Sequence, residues 1–396
     1  MVSTSEGAVT EVGETLEQRF AAAFQSLIAE ARTPLAQLVE LLGSKADLDD
    51  LVTGSRMPSL YEATALGAFF KVAPSALLQA KSPSVGVSFR LGELEGIRDV
   101  SGAVAHATKL LAVDRLTRDW GHEEPVTPLP KFAPSKAWNY REAGEKTASR
   151  LRAFLDIDDL EPVGDLTALV ESLGYPVEYR ALPKDVHGIS VPEEWDGTTA
   201  WVVLINCEDN WARQRFTLAH ELSHILQRDS GQIVIDRATL DNDRRAERIA
   251  DSFARNFLLP EEAIQEAYSK SGEVSGFEQM ALLVTNLMLT YGVSRDATMY
   301  ALKETIEGVT NNRAFAICRE AKIADLMHIS GNDQNWVEVK ANQGNPFPSD
   351  RLTQQALNSY AAGLVPLRAV ADVLTDGDES AAEEQLRSAG WDLVST

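Results

Sequence analysis

The chain has 396 residues, 44% hydrophobic and 24% charged, which is the make-up of an ordinary globular protein of two or three domains. Its 37 basic residues face 59 acidic ones, a formal charge of -22. That balance excludes a polyanion such as nucleic acid as the default partner of the whole molecule, and it suits solubility or a basic protein partner.

Two cysteines, Cys207 and Cys318, give no disulfide framework. The opening MVSTSEGAVTEVGETLEQ has neither a basic nor an apolar region, so it is no signal peptide, and no run of about 18 apolar residues implies a membrane span. A cytoplasmic location is expected.

Residues 1–14 read as a flexible leader and residues 15–82 as a bundle of short helices. Phe20, Phe24 and Leu27 lie at helical spacing. In TPLAQLVELLG, Thr33 is expected as the cap, Pro34 as the first helical residue and Gly43 as the stop. KADLDDLVTG, PSLYEATALGAFF and APSALLQA follow, and the glycine between the second and third helices suggests a helix-turn-helix unit. Residues 83–135 predict a connecting helix from about Val100 to Leu116. After it comes DWGHEEPVTPLPKFAPSK, whose Pro125, Pro128, Pro130 and Pro134 mark an extended linker and a domain boundary.

Residues 136–310 form the next expected domain. Helices are predicted over about Ala137–Leu155 and Leu166–Leu173, then strands in PVEYRAL, HGISV and AWVVLIN, which are rich in Val, Ile, Tyr and Trp. Helices from Trp211 to Gln227 and from about Asp243 to Leu259, stopped by Pro260, are followed by others near 261–269, 277–290 and 295–306. In residues 311–396 the stretches FAICRE and WVEVKA read as strands. The loop NQGNPFPSD follows, then helices near 351–361, 366–374 and 379–388, which together make a small C-terminal α/β unit.

The stretch RFTLAHELSHILQ carries the chemistry. His220 and His224, four apart on a helix, differ by about 40° around the axis and about 6 Å along it, so both imidazoles can face one ion. Glu221 falls on the other side of that ion, where it can take a proton from water activated by the metal. Chance yields the pattern in on the order of 1% of such chains, so the flanks matter. Phe216, Leu218, Ala219, Leu222, Ile225 and Leu226 predict a largely buried helix, on which two histidines and a glutamate would be costly without a metal. A third ligand is expected from RRAERIADSFARNFLLP. Glu247 is the candidate, and Asp251, one turn on, can accept a hydrogen bond from the far nitrogen of a ligand histidine. His187 is a candidate for stabilising the oxyanion, set against a strand-end histidine without a role. AWVVLIN is a candidate edge for strand addition. Cys207 reads as a buried, inert thiol rather than a nucleophile.

RQRFTLAHELSHILQ followed by ERIADSFARNFLLP resembles the ImmA/IrrE metallopeptidases, over roughly Ala137 to Gly308. The resemblance implies a gluzincin fold similar to the thermolysin core, a Zn2+ cofactor held by His220, His224 and Glu247, and Glu221 as general base. It also implies a helical segment over YGVSRDATMYAL and, as in several relatives, cleavage of a partner repressor. Two departures are Ser223, where many relatives have glycine, and Ile249 before Ala250-Asp251, where many have glutamate; the spacing from Glu247 to Asp251 survives. The expected fold is α+β and mostly helical: an N-terminal helix-turn-helix bundle, a central gluzincin-like metallopeptidase domain with a small sheet, and the C-terminal α/β unit.

The opening domain looks like an Xre/Cro-type helix-turn-helix, from its apolar spacing, Gly43, Gly54 and the close P-S-L…A-L…F-x-V. In that family the third helix enters the major groove with polar and basic side chains. Here it carries Asp47, Asp49 and Asp50, which repel phosphate, and Lys45 and Arg56 do not offset them. The domain is expected to keep the fold and to serve a homodimer or partner contact rather than DNA reading. The expected function is a zinc endopeptidase that cuts a specific repressor or antitoxin-like regulator. The alternatives are a DNA-binding regulator, or a toxin of a two-gene module, whose zinc domain is regulatory or masked.

Overall fold

A computed structural model describes residues 15–30, 33–70, 72, 74–78, 94–119, 129, 132, 139–195, 198–227, 234–237, 244–272, 274–341 and 344–391. The leader 1–14 and Pro125, Pro128, Pro130 and Pro134 lie outside them. The chain divides into two compact units, Met1–Ser101 and Gly102–Thr396.

The first unit holds α1 (Leu16–Glu30), α2 (Leu35–Leu42), α3 (Lys45–Thr53), α4 (Leu60–Phe70) and α5 (Pro74–Leu78). Phe20, Phe24, Leu27, Leu38, Leu51, Leu66 and Phe70 are buried, and the Phe24 and Phe70 rings meet edge to face at 6.1 Å. Helix α2 starts one residue later than expected. Pro34 has an extended ψ of 129° and stands outside as the N-cap, while the buried Thr33 hydroxyl has no hydrogen-bond partner and so is not the cap. Gly43, at φ 79°, ends α2, and Ser44 caps α3 by accepting from the Asp47 amide.

The second unit contains α6 (Leu94–Asp119) from residue 102 onward, then α7 (Tyr140–Phe154) and α8 (Leu166–Ser172). Helix α6 begins six residues earlier than the expected Val100. Then come β1 (Val177–Arg180), β2 (Val186–Trp195), β3 (Thr198–Asn206), α9 (Trp211–Gln227), β4 (Val234–Arg237) and α10 (Arg244–Leu258). The sheet order is β1-β3-β2-β4, with β1 parallel to β3 and the other two pairings antiparallel. Strand β3 is therefore interior, which corrects its expected place as an edge. Val202, Val203, Leu204 and Ile205 are fully buried, as a strand covered on both faces requires. Strand β4 is the edge on the β2 side.

Helices α11 (Glu261–Lys270), α12 (Phe277–Tyr291) and α13 (Arg295–Thr305) follow, then a 3-10 turn over Val309–Asn311. The rest is helical: α14 (Arg313–Glu320), α15 (Ile323–Ile329), α16 (Asp333–Ala341), α17 (Asp350–Ala361), α18 (Leu367–Leu374) and α19 (Glu379–Ser388). The expected strands FAICRE and WVEVKA are α14 and part of α16, so the C-terminal unit is not α/β among the described residues. In α14, Asn312 accepts from the Ala314 amide at 2.8 Å, and Ala314, Phe315 and Cys318 form one buried helical stripe. In α16 the alternation that suggested a strand is a solvent-facing helix surface, with Val337 68% exposed. One bridge joins this region to the sheet, where Tyr179 and Phe347 exchange backbone hydrogen bonds and stack their rings at 4.3 Å.

Candidate metal centre

Helix α9 starts where Asn210 accepts from the Arg213 amide at 3.0 Å, and it runs 17 residues through the core. Leu218, Ala219, Leu222, Ile225 and Leu226 are buried around its axis. His220 and His224 lie one turn apart and are 3% and 2% exposed, with their Nε2 atoms 3.1 Å from each other. Glu247 comes from the first turn of α10. Its Oε2 is 3.2 Å from His220 Nε2 and its Oε1 is 3.7 Å from His224 Nε2. One ligand atom from each of the three side chains falls within 4.8 Å of the other two.

Asp251, one turn along α10, places Oδ1 3.2 Å from His220 Nδ1. Burial raises this carboxyl, but the hydrogen bond and charge of His220, with Arg255 and Arg213 nearby, outweigh it and hold the group below its usual range. An ionised Asp251 keeps the proton on Nδ1 and leaves Nε2 to coordinate. Two imidazoles and a carboxylate around one point are the donor set of a catalytic site with an open position, so these residues fit zinc.

Glu221 is fully buried on the β2 side of α9. Ser190 Oγ, on β2, donates to Glu221 Oε2. Gly188 makes room for the same carboxylate, because a Cβ there would lie 2.6 Å from Thr217 Cγ2 and 3.1 Å from Glu221 Oε1. Sequence reasoning missed both residues. The only hint was a small residue at every second position of a strand, which many strands share.

Residues 172–303 match the family described as the IrrE N-terminal-like domain, a peptidase family. This segment is an ImmA/IrrE-type metallopeptidase domain. The match contains both helices and all three converging side chains, and residues 1–171 and 304–396 lie outside it. No curated protein matches the chain.

An ImmA/IrrE-type domain implies a metal, and the cluster of His220, His224 and Glu247 is where this one could hold it. His187 is placed elsewhere in its bonding: Nδ1 lies 2.8 Å from Asp209 Oδ2, and the ring is not part of the cluster. Cys207 is buried, and burial pushes its thiol up, which makes it a poor nucleophile. No helix among the described residues is long and apolar enough to cross a membrane.

Proposed function

We propose that the chain is a zinc endopeptidase that cuts one specific protein, a repressor or antitoxin-like regulator, with Glu221 as general base. The observation that carries this reading is the convergence of His220, His224 and Glu247, with Glu221 next to His220 in the chain and accepting from Ser190. Zinc bound by the three would supply Lewis acidity toward water and a peptide carbonyl. Glu221 takes a proton from the attacking water and returns it to the leaving amine. Its burial keeps bulk water from competing for that proton. Ser190 pairs with Val234 of β4, so a substrate that adds as a strand to the outer edge of β4 lies two strand spacings, about 10 Å, from the strand that contacts Glu221.

The third helix argues against a DNA-reading role. Arg56, which could have met phosphate, is held by Glu62 at 2.6 Å and Asp47 at 3.2 Å, with Asp50 at 4.0 Å. A cation surrounded by three carboxylates offers little to phosphate.

The test is co-expression of the wild type and Glu221→Gln with each neighbouring candidate repressor, followed by intact-mass analysis. Replacing the general base should slow cleavage on the order of 100-fold to 10,000-fold while zinc content is unchanged. Absence of cleavage of every partner, together with tight operator binding, contradicts the endopeptidase reading.

A further inference from the structure

Past Asp251, α9 and α10 border a cavity of about 420 Å³ whose walls include Arg213, Phe216, Arg255, Val293, Ala297 and Tyr300. Arg213 lies two turns before His220 on α9, and Arg255 one turn after Asp251 on α10. They extend the two ridges that carry the metal-binding side chains. Neither makes an ion pair with a described residue. The Arg213 Nε is buried without a hydrogen-bond partner, and the Arg255 guanidinium lies over the Tyr300 ring at 5.4 Å.

Other arginines nearby are engaged. Arg141 meets Glu304 at 2.7 Å, and Arg215 donates to the Gly164 and Val163 carbonyls. The one carboxylate lining the cavity, Asp296, is exposed and turned to Arg295 at 2.8 Å. In a chain of net charge -22, the cavity lining holds two arginines and one carboxylate, and the Asp251 carboxylate that lies near both arginines is not part of that lining.

We propose that Arg213 and Arg255 form a specificity pocket for an Asp or Glu side chain of the cleaved protein. The inference rests on the endopeptidase reading. A guanidinium fork matches a carboxylate in two parallel hydrogen bonds, and Phe216 and Tyr300 supply flat walls that partly exclude water and strengthen them. Seven residues of helix separate Arg213 from His220, about 10 Å, and that span corresponds to about three residues of extended peptide. The acidic residue therefore sits about three positions from the scissile bond.

The full-length zinc-loaded protein is incubated with a proteome-derived peptide library, and cleavage sites are mapped by mass spectrometry. Asp and Glu should be enriched at one position near the scissile bond. In the double variant Arg213→Glu/Arg255→Glu that enrichment should change to Lys and Arg when the two proteins are compared at equal zinc loading, because both arginines also lie near Asp251. Cleavage without acidic enrichment, or enrichment that survives the double reversal, overturns the pocket. A binding measurement separates this outcome from failure of the hydrolase reading. Zinc-loaded Glu221→Gln is titrated with fluorescein-labelled peptides that differ only by Asp or Asn at the enriched position. If the library is not cut, a peptide pool scanned with Asp and Asn replaces them. Binding should be about tenfold tighter for Asp, and the preference should vanish in the double-reversal background. No difference between Asp and Asn overturns the pocket whatever the library shows, whereas a preference without any cleavage leaves the pocket standing and removes the endopeptidase.

Discussion

As the proposed general base, Glu221 would need its carboxylate to face the cluster, and two residues of β2 contact that carboxylate. Ser190 donates to one oxygen, and Gly188 leaves the space the other occupies. Ser190→Ala should lower kcat for cleavage roughly tenfold, the worth of a hydrogen bond to a charged group, with zinc content unchanged. Gly188→Ala should cost more, because its Cβ would lie 2.6 Å from Thr217 Cγ2 and push against the glutamate. Steady-state kinetics alongside metal analysis checks both; wild-type rates in Ser190→Ala would show that the contact does not orient the base. His220, Glu221 and His224 were legible because five consecutive residues spell the pattern, and Glu247 and Asp251 because they repeat the helical spacing. Ser190 was not, because its partner lies 31 residues away and only the crossing of β2 over α9 joins them.

At the scale of elements, α10 holds Glu247 in place by packing on α7. Gly144 is the point of closest approach: a Cβ there would lie 2.5 Å from Ser252 Cβ and 2.6 Å from both the Ile249 carbonyl oxygen and the Phe253 nitrogen. Gly144→Ala must part the two helices. A loss of about 1–3 kcal/mol in stability is expected, with weaker zinc binding because Glu247 moves with α10; denaturant unfolding and zinc titration measure the two effects.

In the first unit, the Arg56 guanidinium, hydrogen-bonded to Glu62 at 2.6 and 2.8 Å, holds that carboxyl down from 4.5 to about 2. A carboxyl depressed in the folded state adds stability that is present above pH 4.5 and is lost as pH falls toward 2. Glu62→Gln should remove that acid-side slope from thermal melts, and an unchanged slope would show that the pair contributes nothing.

The helices up to α13 are legible because capping residues and 3.6-residue stripes are local signals; α9 matches its expected range residue for residue. Strands were harder. The four residues of β4 are too few to show alternation, and α14 and α16 copied it by accident.

Across the whole molecule, the C-terminal helices belong to the same compact unit as the metal cluster. Their anchor is Glu171 on α8, which accepts from the Ser349 hydroxyl and from the Arg351 amide at 3.1 Å. Nothing in the linear sequence joins residues 178 positions apart, so the tail read as a separate unit. What the sequence did carry at this scale was the overall class, mostly helical with a small sheet, because composition and periodicity are summed over many residues.

The proposed function requires α9 and α10 together to hold one divalent cation with two imidazoles and one carboxylate. Zinc K-edge absorption on the zinc-loaded full-length protein tests it most directly. One zinc per chain is expected, with two imidazole nitrogens at about 2.0–2.1 Å and carboxylate oxygen at about 2.0–2.2 Å, and loss of tight binding in Glu247→Ala. Sulfur in the coordination shell, or zinc bound as tightly when residue 247 is alanine, would contradict it.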